Sequence, residues 1–333
     1  MICNRKLRGW AVTPLLVAAM SLLGCNQHET GESQAAKAQQ EPASLAKQAP
    51  ITIQHQLGET VIDSLPHRVV ALDMNEVDFL DQLDVPIAGM PKDFIPDFLL
   101  KYKDDPDVED TGAIVQPNLE RVYAAKPDLI LMTSLQAKNY KELTEIAPTI
   151  HFDVNYRDSE VNHIEVIKNH LLSLGKIFNK TALAEQKVAG LDEKVAEVQR
   201  ITQGRPEKAL ILLHNNGSFR SFGVKSRYGF VFSSFGVKPA SPIVEAGLHG
   251  QPISSEFIQQ ANPDIIYIVD RTAVMEGRPV MDAETLSNPL IRQTVAWQKG
   301  RVIFVDAPAW YVMAASPTSL SLIVDDVIKG YQP

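Results

Sequence analysis

The chain has 333 residues, 45% of them hydrophobic and 22% charged, with a formal net charge of −8. It is too long for one ordinary domain and suits two lobes of about 120–150 residues each, and its composition is neither that of a disordered chain nor of a multi-span membrane protein. The acid excess argues against a nucleic-acid backbone as partner, since that favours a basic face, but leaves room for a small anion held by a local arginine cluster.

Residues 1–24 stand apart. Arg5, Lys6 and Arg8 precede an apolar or small run from Ala11 to Leu23, which closes on Leu22-Leu23-Gly24-Cys25. A basic start, a short apolar stretch and a small residue before the cut read as an export signal, and the run is short for a membrane-spanning helix. The Leu-x-Gly-Cys ending resembles the lipobox of bacterial lipoproteins, which implies lipidation of Cys25. The only other cysteine, Cys3, lies inside the signal, so the mature body has no thiol for a disulfide, a nucleophile or a metal. Without the signal the net charge is nearer −11. Residues 25–50, rich in Gln, Ala and Glu, read as a flexible tether.

Folded sequence begins near Ile51. ITIQHQLGETVID suggests a hairpin. RVVALD (68–73) reads as a buried strand, NEVDFLDQLDV (75–85) as a helix and PIAGM (86–90) as a strand. An acidic loop (91–111) follows, then NLERVYAAK as a helix, PDLILM as a strand, KNYKELTEIA (138–147) as a helix and TIHFDV as a strand. The second half repeats the order, with KALILLH (208–214) as a strand, RYGFVFSSFGV (227–237) as a helix, SSEFIQQAN as a helix and PDIIYIVD as a strand. TLSNPLIRQTVAWQKG (285–300) completes it as a helix, with RVIFVDA as a strand. Glu120 and Glu256 each stand seven residues before a Pro-Asp pair, so the echo is architectural. Residues 159–203 lack proline and carry apolar residues at helical spacing, with a break at Phe178-Asn179-Lys180. The part from 181 to 202 extends roughly 30 Å at 1.5 Å per residue.

Alternation of this kind predicts an α/β fold: two mixed or parallel-sheet lobes joined by a long backbone helix, with a cleft between the lobes. The N-terminal lobe is assigned to 51–158, the connecting helical region to 159–203 and the C-terminal lobe to 204–333.

The lipobox, tether, two lobes and connecting helix together resemble the helical-backbone class (class III) of ABC-importer binding proteins, which capture iron siderophores, haem or cobalamin. The segments SRYGF (226–230), GLHGQPISSEFI (247–258), VDR (269–271) and VDAPAWYVMA (305–314) look most like the ferric-catecholate siderophore-binding branch. Ferric ion prefers oxygen donors, phenolate especially, and accepts imidazole. The resemblance implies that Tyr311 and His249 fill iron positions left open by the siderophore, that Arg227 and Arg271 hold its anionic oxygens, and that Trp310 borders the ligand. Where relatives complete an arginine triad, this chain has Leu135, followed by Gln136 as a neutral donor. Losing that charge points to a less anionic complex, such as a mixed catecholate–hydroxamate, rather than a bis-catecholate. Glu120 and Glu256 match the glutamates that dock such proteins onto the permease dimer, although each also suits the first turn of a helix.

The reading is therefore of a monomeric lipoprotein on the periplasmic side of the cytoplasmic membrane, carrying a ferric siderophore and no permanent cofactor. No G-x-S-x-G, Walker, G-x-G-x-x-G or H-E-x-x-H motif points to an enzyme. A haem- or cobalamin-binding protein of the same class is the alternative. A free-metal receptor needs more His, Asp and Glu ligands than the sequence groups together, and a structural lipoprotein leaves the four cleft residues without a common purpose.

Overall fold

Short segments of apolar residues alternate with helices from Ile51 to the C-terminus, and each lobe is built on one main sheet, the first lobe adding the two-stranded pairs 51–55 with 58–62 and 112–113 with 116–117. The structure, a computed structural model, describes residues 49–241, 248–284, 286 and 288–332. The signal, Cys25 and nearly all of the tether lie outside the described residues.

The N-terminal hairpin forms as expected, with β1 (Ile51–His55) antiparallel to β2 (Gly58–Ile62). It is held to its lobe by Thr60 Oγ1, which donates to the Thr149 carbonyl at 2.5 Å. There follow β3 (Val69–Ala71), α1 (Met74–Gln82), β4 (Ile87–Met90), β5 (Glu109–Asp110), and the small β6 (Gly112–Ala113) and β7 (Gln116–Pro117). Then come α2 (Leu119–Ala124), β8 (Leu129–Thr133), α3 (Tyr140–Ile146) and β9 (Thr149–Phe152). The sheet runs β5-β4-β3-β8-β9, all parallel. The stretch expected as loop contains a 3-10 helix over Asp97–Tyr102.

Two helices cross from one lobe to the other, α4 (His163–Ile177) and α5 (Thr181–Thr202), with the break at the expected place. Asn179 takes a left-handed φ of 55° there. Gly175 lets the two helices meet, since a Cβ on it would lie 2.4 Å from the Ala184 methyl. The 22 residues of α5 span about 33 Å.

The second lobe contains β10 (Lys208–Asn215), β11 (Ser218–Phe222), α6 (Gly229–Ser233), β12 (Lys238–Pro239), β13 (Gln251–Ile253), α7 (Ser255–Ala261) and β14 (Ile265–Asp270). It ends with α8 (Arg271–Glu276), α9 (Val295–Gln298), β15 (Val302–Phe304) and α10 (Pro317–Lys329). Its sheet runs β13-β11-β10-β14-β15, with β12 beside β10. Three expectations are corrected. The helix expected over 227–237 covers only Gly229–Ser233 and is stopped by Gly236 at φ +77°. The helix expected over 285–300 is a 3-10 turn at Ile291–Gln293 followed by α9. It breaks because Asn288 Oδ1 accepts from the Leu290 amide and Thr294 starts afresh as an N-cap for Trp297. The lobes also differ, since β11 turns back antiparallel on β10 where the first lobe has no counterpart.

The echoed Pro-Asp pairs do have matching work. Asp128 accepts from the His67 and Arg68 amides where β3 begins, and Asp264 accepts from the Lys208 amide where β10 begins. Each carboxylate clamps the entry of the neighbouring strand.

Polar groups of α1 are buried where the lobes meet. Asn75 Oδ1 accepts from the Ala315 amide at 3.0 Å, and Asp78 accepts from the Thr318 amide and hydroxyl at 2.8 and 2.6 Å. Asp73, the N-cap of α1, accepts from the Asn75 amide and from Thr133 Oγ1. Burial pushes the carboxyls of Asp73 and Asp78 up to about 6 each, with the hydrogen bonds they accept opposing. His163 on α4 donates from Nε2 to the Ala314 carbonyl and stacks on Phe230, and burial lowers it to about 4.

Unfolded, the two aspartates ionise near 3.8, so between that value and about 6 the folded chain holds two protons that the unfolded chain has lost. The stability they contribute is full at low pH and is lost as pH rises through 6. His163 has the opposite sign, because its unfolded form keeps a proton up to about 6.5 that the folded form sheds near 4. Glu207, held at about 2 by Arg205, opposes the aspartates at the acid end of this range. The balance between pH 4.5 and 6 is therefore about half a proton, and unfolding free energy is expected to fall by less than about 1 kcal/mol per pH unit there. Urea midpoints across that range check this, and a rising midpoint contradicts it.

Candidate functional site

The carboxyl ends of the parallel strands from both lobes open onto one cleft of about 440 Å³, the usual place for a ligand in open α/β sheets. Its first wall comes from the N-terminal lobe. Phe94, Ile114, Val115 and Leu135 line it, with Tyr156 beyond β9. Ile114 and Val115 form the turn between β6 and β7, and the Ile114 amide is fixed by Asp93. Phe94 stands at φ +55°, a strained position for an aromatic residue that places its ring beside the cleft. No wall residue from this lobe carries a charge.

The facing wall supplies the polar groups, namely Arg227, His249, Arg271 and Tyr311, with Leu248, Val274, Met275 and Val312 among them. Tyr311 sits on a π-helical turn, Pro308–Met313, that ends at Ala314 with φ +64°. Arg271, the first residue of α8 after β14, donates from Nε to the Tyr311 hydroxyl at 2.7 Å and from Nη1 to Asn215 Oδ1 at 2.7 Å. Arg227 donates from Nη2 to the Tyr311 carbonyl at 3.0 Å. Its guanidinium carbon lies 5.8, 5.2 and 5.6 Å from the ring centres of Tyr156, Tyr228 and Tyr311. Arg227 is 6% exposed, its Nε is buried without a partner, and among the described residues no carboxylate pairs with it. A permanent charge held so dry, with only rings and a carbonyl to solvate it, favours an anion beside it.

His249 stands exposed at the rim, two residues ahead of β13. Gly250 must be glycine, since it has φ +67° and a Cβ would lie 2.7 Å from the Ser221 carbonyl. Arg220 binds the His249 and Gly250 carbonyls and fixes the loop from behind. Partial desolvation against the cleft wall, then repulsion from Arg227, Arg220 and Arg271, holds the exposed His249 below the ordinary imidazole value, which favours the neutral ring that a metal needs. Among the described residues no three His, Cys, Asp or Glu side chains gather to hold a bare metal ion.

The structure therefore brings Arg227, Arg271, His249, Tyr311 and Leu135 to one cleft. It does not bring Gln136 or Trp310. Gln136 is fully buried, accepting from the Thr133 amide and donating to the Leu72 and Ile114 carbonyls, so its amide is consumed by the fold. Trp310 points the other way along the π-turn. It is fully buried beside Tyr228 and Tyr267, and its Nε1 donates to Asp326. Sequence reasoning missed Phe94, Val115, Tyr156, Val274 and Met275. The last two were within reach, because a helix begun at Arg271 puts i+3 and i+4 on its own face.

Glu120 and Glu256 are exposed, each two residues after an N-cap, Asn118 and Ser254. No helix among the described residues is long and apolar enough to cross a membrane.

Two α/β lobes on a helical backbone, with a ligand-sized cleft, are the build of a solute receptor. The chain belongs to the periplasmic binding protein family, whose pattern it matches over residues 69–309. The ferric-anguibactin-binding protein FatB of Vibrio anguillarum is 65% identical over 285 residues, covering 86% of this chain and 88% of that protein. The petrobactin-binding protein YclQ of Bacillus subtilis is 31% identical over 321 residues, covering 95% and 96%. Among solved structures, the siderophore-binding protein BauB, bound to a complex of two acinetobactin molecules and ferric iron, superposes with a TM-score of 0.82. It is 65% identical, over 85% of this chain and 99% of that one. These relatives are named as binding proteins, not as enzymes.

Proposed function

We propose that this protein captures a ferric siderophore in the cleft and delivers it to the permease of an ABC importer, without catalysing a reaction. The observation that carries this reading is the pair of cleft arginines, above all the unpaired Arg227, facing a wall with no charge. A ferric catechol-type complex combines anionic oxygens with apolar ring surface, and the two walls divide those demands between them. The names of FatB and BauB support the same cargo.

Arg227 and Arg271 hold the anionic oxygens, and Tyr311 and His249 are the donors for iron positions that the siderophore leaves open. Leu135 lines the cleft, at the place where the resemblance implies a third arginine, which favours a complex of low charge, such as a mixed catecholate–hydroxamate. Glu120 and Glu256 dock the two lobes onto the permease dimer. Cys25, outside the described residues, carries the lipid that tethers a monomeric receptor to the periplasmic face of the cytoplasmic membrane.

Tryptophan fluorescence of the lipid-free domain, titrated with ferric anguibactin, tests the reading. Saturable quenching is expected, and Tyr311→Phe and His249→Ala each raise Kd by about tenfold or more, the loss of at least 1.4 kcal/mol. No quenching by ferric complexes, with a response to haem or cobalamin instead, overturns it.

Leu135→Arg is expected to shift preference about tenfold toward a tris-catecholate ferric complex relative to ferric anguibactin. An unchanged ratio in parallel titrations removes Leu135 as the charge selector.

For docking, Glu120→Ala with Glu256→Ala is expected to leave Kd unchanged and to depress siderophore-dependent uptake of radioactive iron by cells to a small fraction of wild type. Full uptake by the double variant rules the anchors out.

A further inference from the structure

Behind Arg271 lies a buried polar cluster that the cleft does not use. β10 and β11 pair with Asn215 opposite Ser218, so Asn216-Gly217 is a two-residue turn with φ of 48° and 80°, the geometry favoured by Asn-Gly in hairpins. His214, 4% exposed, lies two residues before it. The Gly217 amide donates to His214 Nε2 at 2.9 Å. That nitrogen must therefore carry a lone pair, which places the ring proton on Nδ1, donated to Asp270 Oδ1 at 2.8 Å. Asp270 Oδ1 also accepts from the Ala273 amide as the N-cap of α8, and the Asn216 amide donates to Thr272 Oγ1 at 2.8 Å. The turn and the first residues of α8 are thus tied together on both sides of Arg271.

Asn215 is the side chain that this bracing delivers. Its Oδ1 takes Arg271 Nη1, while Nε of the same guanidinium goes to the Tyr311 hydroxyl. A planar fork held at two nitrogens has its rotation removed, and Nη2 is left for a ligand oxygen. We infer that Asn215, braced by the buried His214–Asp270 pair, is a positioning residue that aims Arg271 into the cleft before any ligand arrives. This rests on the reading of the cleft as the site of an anionic ferric complex. It adds a specificity element from the hairpin β10–β11, the part of the second lobe with no counterpart in the first.

Two measurements decide it. In the ¹⁵N-labelled unliganded protein, the Arg271 Nη1–H cross-peak, assigned by its loss in Arg271→Lys, is expected to be sharp, because that nitrogen donates to Asn215 Oδ1. It should vanish through solvent exchange in Asn215→Ala and persist in Asn215→Asp, which keeps the acceptor oxygen. In titrations with ferric anguibactin, Asn215→Ala is expected to weaken binding about tenfold in the wild-type background and by less than about twofold in Arg271→Ala. A cross-peak unchanged by Asn215→Ala, or an equal loss of affinity in both backgrounds, overturns the inference, because a purely structural role is additive. If the wild-type protein binds no ferric complex, the cargo reading fails, and the cross-peak alone still decides the role of Asn215.

Discussion

The uncompensated guanidinium of Arg227 is the constraint around which the cleft is built. Removing a permanent cation from water without a carboxylate is costly, and the chain offsets part of that cost with the faces of three tyrosines and one main-chain carbonyl. Each of those groups is itself held. Tyr156 accepts from Asn75 on α1, Tyr228 donates to the Trp310 carbonyl, and the Tyr311 hydroxyl accepts from Arg271. The floor of the cleft therefore takes its shape from contacts with both lobes. The second arginine is cheaper to keep, being partly solvated and bonded at two nitrogens.

The two lobes divide the labour unevenly although their elements repeat. Each begins its central strand under an aspartate clamp, and each offers a glutamate in the first turn of a helix capped by Asn or Ser. Inside the cleft the likeness ends, with an apolar wall on one side and a cationic wall on the other. Such a division suits a ligand with two chemically different hemispheres, one presenting metal-bound oxygens and the other ring and chain carbon.

Much of this was legible in the sequence because it depended on local rules. The proline-free, periodic stretch from 181 to 202 could only be a helix, and its break at Asn179 follows from a residue that tolerates positive φ. The misreadings arise where local and tertiary signals conflict. In 285–300 the apolar spacing outweighed Asn288 and Thr294, whose side chains restart the backbone. Asn216-Gly217 carried a hairpin signal that the repeat of helix and strand obscured. The C-terminal helix α10 was also marked, by Ser316 and Pro317 at its start. Gln136 and Trp310 illustrate a different limit. Their positions beside the cleft follow from the chain order, but the direction of a side chain leaving a strand end or a π-turn is set by the partners it finds, Leu72 and Ile114 for one and Asp326 for the other.

The bonds from α1 to the segment 315–318 join residues 240 positions apart in the chain. Loop closure on that scale is entropically expensive and slow relative to the pairing of neighbouring strands. An exported chain enters its compartment amino end first, so α1 must wait, with Asn75 and Asp78 unsatisfied, until nearly the whole polypeptide has crossed. Tyr311 lies on that same late segment. The cleft is consequently among the last features to form during biogenesis, and a chain arrested a few dozen residues short of its end would be a folding intermediate that lacks the Tyr311 side of the cleft wall.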